Sequence, residues 1–372
     1  MQQEIMYKNW CSVNLDNLVH NYQYTKNKVN KTVICVIKAD AYGHGAVNTA
    51  KALEEAGCRH FAVSSFAEAK ELRDGGIDKN ILILGVIMPH EIQKAIELDI
   101  SFAVGSLDFL ESVIFCQTAS TKKAKIHIKL NTGMNRLGFD VVHSYDELEK
   151  ALALIKENLQ NIEVEGIFSH FASAEDDNDL TRIQFERYNA ALKCVENAGI
   201  SPKLRHISNS AASLNYDEFY LDATRLGIYL YGCETNDKNY LPVMGFHSRI
   251  LEIQEIQAGD GVSYGLDFIA DKKMKIAIVG AGYADGVHRS LSNGKGYVIC
   301  GGKECPIVGR ICMDMFMIDV TELENVSILD TVTIFGEGNG GYLPCSVQAQ
   351  NAGTISYELL CSVSERVPRI YT

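Results

Sequence analysis

The sequence predicts an α/β chain in two parts: a (β/α)8 barrel over residues 1–237, then a mostly-β domain over 238–372. Three observations lead there. Up to about Tyr240, short β-branched runs alternate with longer amphipathic stretches, the pattern of a parallel sheet with crossover helices. The β-branched runs number eight, the count that closes a barrel, although an open doubly wound sheet carries the same alternation. After Leu241 come short alternating runs with Gly-rich turns every ~8–15 residues, which predicts an all-β module.

The eight runs are Thr32–Lys38, Phe61–Ser65, Ile81–Gly85, Phe102–Gly105, Lys125–Leu130, Val164–His170, Leu204–Ser208 and Ala223–Tyr229. Between them Ala46–Ala56, Ser65–Asp74, Pro89–Leu98 and Leu180–Ala198 read as helices. In the last, Ile183, Tyr188, Leu192 and Val195 set apolar side chains at helical spacing against Arg and Glu. A strand around Ser12–Leu15 precedes the eight and has no place in their alternation. Thr235–Tyr240 is polar and reads as the linker. Beyond it the expected strands are Phe246–Ile253, Met274–Val279, Tyr297–Cys300, Phe316–Val320 and Thr331–Phe335, with Ser346–Thr354 as the one helical segment.

Composition narrows the function classes. A chain 47% hydrophobic and 22% charged is neither disordered nor of low complexity. With 35 basic against 47 acidic side chains the net charge is −12, which repels nucleic acid and anionic membranes. Neither is expected as a partner, and any anionic ligand must be held by a local basic site. Met1–Trp10 is polar, and no apolar run approaches the roughly 20 residues that span a bilayer, so a cytoplasmic location is expected. Eleven cysteines without a CxxC pair read as reduced thiols rather than disulfides or a zinc site. His44, His90 and His288 lack ligand-like neighbours, so no metal is expected. Gly280-Ala281-Gly282 follows a strand, yet the next residues are too polar and Gly-rich for the helix of a dinucleotide fingerprint.

Barrel enzymes place chemistry at the C-terminal ends of their strands. Those ends carry Lys38, the loop Thr132–Arg136, His170, Asn209 with Ser210, and Arg225 with Gly227. Any one of these alone is an ordinary surface or hydrogen-bonding residue; their joint appearance is unusual for positions that end apolar strands. A lysine at such an end is partly desolvated, which favours the neutral amine needed to form an imine. Lys38 opens the segment Lys38-Ala39-Asp40-Ala41-Tyr42-Gly43-His44-Gly45, whose glycines allow a sharp turn and close approach to a ligand. Tyr42 could donate a hydrogen bond to a phosphate.

This segment resembles the cofactor-lysine motif of bacterial alanine racemases, and further blocks match in the family's order over essentially the whole chain. They are Lys129–Gly138, Ser169-His170-Phe171-Ala172, Ser208–Ala212, Arg225-Leu226-Gly227-Ile228, Val262-Ser263-Tyr264-Gly265, Gly282–Gly286, Gly309–Met315 and Arg366-Val367-Pro368-Arg369. The resemblance implies pyridoxal 5′-phosphate bound to Lys38, a barrel rather than an open sheet, and a homodimer in which each site is completed by the partner's C-terminal domain. It implies that Tyr42, Ser210, Gly227, Ile228 and Tyr357 surround the phosphate. Asn209 and His170 join the cofactor-binding set on the same ground. Arg225 would face the pyridine nitrogen; a guanidinium cannot give up a proton at neutral pH, so that nitrogen stays unprotonated.

The same resemblance implies two bases: Lys38 for the D-isomer and Tyr264 of the partner subunit for the L-isomer. A tyrosine has an ordinary pKa of about 10, so its phenolate needs local stabilisation, which the family would supply through His170 and Arg225, with Arg289 nearby. Arg136 would hold the cofactor's phenolic oxygen and the substrate carboxylate. Met313 would offer its backbone N–H to that carboxylate from across the dimer. Lys129 matches a position that is carbamylated in many relatives, and Asn131 stands where many carry Asp. The implied activity is interconversion of L- and D-alanine, supplying D-alanine for peptidoglycan. A serine or broader racemase is the nearest alternative, since a pocket shaped for a methyl excludes one more hydroxyl only modestly. A decarboxylase is disfavoured by Arg225, and a non-catalytic pyridoxal-phosphate carrier by the second base.

Overall fold

The computed structural model describes residues 7–117, 121–176, 179–338 and 340–372. The first six residues, part of the polar start Met1–Trp10, lie outside the described residues. The chain divides into two units: Asn21–Ala41 with Ala46–Leu230, and Met1–His20 with Tyr42–Gly45 and Tyr231–Thr372.

The supernumerary first strand, β1 (Asn9–Val13), belongs to the second unit. The first unit is built on β2 (Thr32–Val36), β3 (His60–Val63), β4 (Asn80–Ile83), β5 (Ser101–Val104), β6 (Ala124–Asn131), β7 (Phe139–Asp140), β8 (Ile162–Phe168), β9 (Leu204–His206) and β10 (Ala223–Leu226). Eight of these form a parallel sheet in the order β10-β2-β3-β4-β5-β6-β8-β9, and β7 pairs with β6 alone. The two ends of the sheet meet through Asp222 N–H donating to the Arg205 carbonyl at 3.1 Å and Arg225 N–H to the Ser208 carbonyl at 3.0 Å. The barrel is therefore nearly closed. Strands such as Phe61-Ala62-Val63 and Ile81-Leu82-Ile83 are buried on both faces, as parallel strands under a helical layer must be.

All eight predicted runs are strands, but most stop short of their predicted C-terminal ends. Lys38, His170 and Ser208 lie beyond the ladders, in the turns at the mouth of the barrel. Their polar side chains suit turn backbone, which leaves them free to hydrogen-bond, better than a two-sided apolar ladder. Helices follow as expected. The helix Phe66–Asp74 opens on a reciprocal capping box between Ser65 and Glu68, and Pro89–Glu97 starts with proline at its first turn.

The second unit contains β11 (Met244–Ile256), β12 (Gly261–Val262), β13 (Phe268–Ile269), β14 (Met274–Val279), β15 (Tyr297–Cys300), β16 (Lys303–Val308), β17 (Phe316–Asp319), β18 (Thr331–Gly338), β19 (Gly341–Leu343) and β20 (Arg369–Tyr371). Its main sheet runs β19-β18-β15-β16-β17-β14-β11-β1-β20, with β18 also pairing β11. β11 serves several neighbours because it changes register between Ile250 and Glu252, pairing β1 and β18 before the irregularity and chiefly β14 after it. Phe246, Phe316 and Phe335 fill the core. One expectation needs correcting: Ser346–Thr354 is not the sole helix here, since Cys345–Ala352 is followed by a second, Ser356–Ser362. Seven residues span barely two turns, too few to display a helical period in sequence.

All eleven cysteines are free thiols. Among the described residues no helix is long and apolar enough to cross a membrane, and no three His, Cys, Asp or Glu side chains are grouped to hold a metal ion.

Candidate active site

The barrel gathers most of the expected residues at the C-terminal ends of its strands. Lys38 follows β2 and is half-buried. The residues after it do not form an ordinary turn. Ala39, Asp40, Ala41 and Tyr42 have φ of 52°, 52°, 54° and 54°, and Gly43 has 81°, so Lys38–Gly43 is one turn of left-handed helix. Each non-glycine residue held there costs about 1–2 kcal/mol, and such strain concentrates at functional sites. The surroundings pin it. Glu68 accepts from Ala39 N–H at 2.7 Å while its other oxygen accepts from Ser64 and Ser65 N–H. Asp40 accepts from Ala46 N–H at 2.6 Å, where the next helix begins.

Lys129 is buried in β6, donating to the Leu84 carbonyl at 2.9 Å and lying 5.3 Å over the Phe168 ring. Burial, reinforced by the charges of Arg136, Arg225 and Lys38, lowers its pKa to about 8. Arg136 is exposed on the loop after β6. That loop is stapled by Asn131, whose Oδ1 accepts from Gly133 and Asn135 N–H at 3.1 and 2.9 Å and whose Nδ2 donates to Asn135 Oδ1 at 3.0 Å. An aspartate could make the first two bonds but not the third.

Arg225, in β10, is 2% exposed. Nη2 donates to the Ser169 and Ile207 carbonyls at 2.7 and 2.9 Å and to His170 Nδ1 at 3.2 Å, and Nη1 donates to His206 Nδ1 at 2.8 Å. Because arginine can only donate, His170 Nδ1 is an acceptor, and a neutral His170 carries its proton on Nε2. Burial first, then Arg225, Arg136, Lys129 and Lys38, hold His170 neutral by driving its pKa well below the usual imidazole value. Ser210 Oγ accepts from Gly227 N–H at 2.8 Å, joining the loops after β9 and β10, with Ile228 buried beside them. Asn209 Oδ1 caps the short helix Ala212–Asn215 through Ala212 N–H at 3.0 Å. Four cations and a neutral imidazole thus share one mouth, and no carboxylate figures among the groups that shift Lys129 or His170. Such a site selects an anion.

The second unit holds the remaining candidates. Tyr264 sits in the connection between β12 and β13 and is 70% exposed. With Met313, 53% exposed, it lines an open groove of about 490 Å³ that also takes in Ile256, Ile276, Ile278 and Met315. Tyr42 and Tyr357 lie with ring centroids 6.0 Å apart, and burial pushes the Tyr42 phenol above its usual range. Within this unit Arg369 Nε donates to the Gly43 carbonyl at 2.8 Å, and a Cβ on Gly45, at φ 92°, would overlap the Tyr371 hydroxyl. Arg289 is exposed on a short 3-10 turn.

Gln184 and Glu68 escaped the sequence reading, and Arg366 stood in a matching block without a role. Gln184 is fully buried, donates to Thr132 Oγ1 and the His170 carbonyl at 3.1 and 3.0 Å, and accepts from Ala172 N–H at 2.9 Å. Arg366 clamps the Met313 loop by pairing with Asp285 and Asp314, each at 2.7 Å. Glu68 stands three residues after Ser65, the spacing of a capping box, and nothing in that spacing marks it as a holder of the lysine turn.

Comparison with known proteins fits this geometry. Residues 13–235 match the family model described as alanine racemase, N-terminal domain, and 243–371 that described as alanine racemase, C-terminal domain. The chain is 43% identical over 367 residues to alanine racemase 2 of Caldanaerobacter subterraneus subsp. tengcongensis, covering 96% of this chain and 93% of that one. A solved alanine racemase from D-cycloserine-producing Streptomyces lavendulae superposes with a TM-score of 0.92 at 32% identity, covering 99% of this chain and 98% of that one. One from Bacillus anthracis with bound L-Ala-P gives a TM-score of 0.91 at 32% identity, covering 100% and 96%.

Proposed function

The chain belongs to the alanine racemase family, and on that premise we propose that it interconverts L- and D-alanine with pyridoxal 5′-phosphate, as a cytoplasmic homodimer supplying D-alanine for peptidoglycan. The observation that carries the reading is the mouth of the barrel, where Arg225, Arg136, Lys129 and Lys38 lie close enough together for their charges all to act on His170. A cofactor bearing a phosphate, binding a substrate that bears a carboxylate, relieves that repulsion. When bound, the cofactor supplies the electron sink that makes the substrate α-hydrogen removable.

The chain's own residues do the rest. Lys38 Nζ carries the cofactor and, once released, takes the proton from the D-isomer. Tyr264 Oη of the partner subunit takes it from the L-isomer; its exposure on the second unit, beside a largely apolar groove, supports a partner's barrel as its target. His170, whose Nδ1 is committed to Arg225, presents Nε2–H as the donor that would stabilise the Tyr264 phenolate. The Arg225 guanidinium is too weak an acid to give up a proton at neutral pH, so it would leave a pyridine nitrogen facing it unprotonated, which would suit plain proton exchange. Ser210, Gly227 and Ile228 are proposed phosphate ligands, with Asn209 supporting their loop; Tyr42 and Tyr357 are proposed as phosphate ligands on the family resemblance alone. Arg136 and the Met313 backbone N–H are the proposed carboxylate ligands, and Arg289 is proposed to lie beside Tyr264. Lys129, with its pKa near 8, holds enough neutral amine to add carbon dioxide, releasing a proton and leaving a carbamate opposite Arg136. The working boundary between the catalytic barrel and the completing domain is placed at residue 237.

Incubating the cofactor-loaded protein with L-alanine in deuterium oxide tests the reaction. D-Alanine deuterated at the α-carbon is expected; release of carbon dioxide, absence of turnover, or faster turnover of L-serine overturns the assignment.

A further inference from the structure

The Arg225 guanidinium is buried in the barrel, and among the described residues it meets no carboxylate. A buried cation without a counter-charge costs several kcal/mol. Its hydrogen bonds lead away from the mouth. Nη1 donates to His206 Nδ1 at 2.8 Å, His206 Nε2 lies 3.0 Å from His127 Nδ1, and His127 Nε2 lies 3.4 Å from Glu165 Oε2. Ser101 Oγ donates to the same Glu165 oxygen. The donors fix the direction of every link. Arginine must donate, so His206 accepts on Nδ1; burial keeps that ring neutral, so its proton is on Nε2. His127 must then accept on Nδ1 and donate from Nε2 to the carboxylate. Two hydrogen bonds and the closing 3.4 Å His127–Glu165 contact all point from Arg225 toward Glu165.

We infer that Glu165 is a positioning residue for Arg225, acting through His127 and His206 as the remote counter-charge of the buried guanidinium. Two packing features serve this chain. Gly166 is a glycine because a Cβ there would overlap His127 Nδ1. Phe168 stacks on His206, with centroids 5.0 Å apart and planes at 3°, while the Arg225 guanidinium lies 5.5 Å over the same ring. The platform excludes water from the middle of the chain, where low polarity strengthens each hydrogen bond. A carboxylate at the far end makes His206 Nδ1 a stronger acceptor and so fixes the guanidinium plane that also orients His170. The catalytic consequence rests on the racemase reading; the hydrogen-bond chain does not.

Nitrogen-15 NMR of histidine-labelled protein tests the chain directly, with resonances assigned by their loss in His127→Phe. Two neutral rings protonated on Nε2 are expected for His127 and His206; an Nδ1–H form of either overturns the inference. In the cofactor-loaded enzyme, Glu165→Gln keeps an acceptor but removes the charge. It should lower kcat about tenfold, the scale seen when groups supporting an active-site residue are lost, with KM for alanine within twofold. In a His127→Phe background the same change should add nothing, because the link is already cut. Unchanged kcat in Glu165→Gln, or fully additive losses in the double variant, overturns the inference. A wild-type protein that shows the two tautomers but does not racemise alanine leaves the chain standing and sinks the functional reading instead.

Discussion

Glu165 illustrates how far a single residue's environment decides its chemistry. Burial pushes its carboxyl upward, but hydrogen bonds from His127 and Ser101 outweigh that and bring its pKa to about 2, from an ordinary 4.5. A folded pKa below the unfolded one means that the unfolded chain binds more protons between the two values. The stabilisation is therefore complete above 4.5 and is lost as pH falls toward 2. Its size is about 3 kcal/mol by the free-energy equivalent of such a shift. Urea unfolding of wild type and Glu165→Gln should differ most near neutrality and converge as the pH drops through that window; a gap that persists at the acid end would contradict the assignment. None of this was legible in the sequence, where Glu165 looks like a polar residue on one face of a strand. Lys38, His170 and Arg225 were legible, because polar side chains at the ends of apolar runs stand out without knowledge of their partners.

At the scale of elements, the barrel strands could be read from their β-branched runs because most of their residues are buried under the helical layer; β3, β4 and β5 are apolar almost throughout, whereas β6 and β8 carry charged residues among the apolar ones. What followed β2 could not. Of Ala39, Asp40, Ala41 and Tyr42 only the aspartate is of a type that visits positive φ with any frequency, and the glycines after them suggested a sharp turn, not a run of left-handed residues. The left-handed conformation is held by a distant partner, Glu68 on Ala39 N–H, and by Asp40 reaching forward to Ala46 N–H. Glu68→Ala should therefore cost more than the about 1 kcal/mol of an ordinary lost cap, because it also releases the strained turn. The expected outcome is a fall of several degrees in Tm together with weaker cofactor retention on dialysis. A stability loss with cofactor retention unchanged would mean that the glutamate serves only its own helix. The home of β1 was equally hidden, since its partners β11 and β20 lie more than 200 residues away in sequence.

For the whole molecule, the central claim is that two bases from two subunits act on one substrate. The sequence carried this only through resemblance, because no pattern within one chain states which copy a side chain serves. The structure adds an exposed Tyr264 and Met313 on one groove, a cationic barrel mouth in the other unit, and the Arg366 clamp that holds the Met313 loop in shape. The most direct measurement mixes two inactive variants. Lys38→Ala should lose both cofactor attachment and activity, and Tyr264→Phe should keep the cofactor but lose proton abstraction from L-alanine. In a dimer containing one of each, one site has both defects and the other has neither. Unfolding and refolding an equal mixture should therefore restore about a quarter of wild-type racemase activity. If the mixture stays as inactive as its components while each still forms dimers, Tyr264 does not act across the subunit boundary and the account fails.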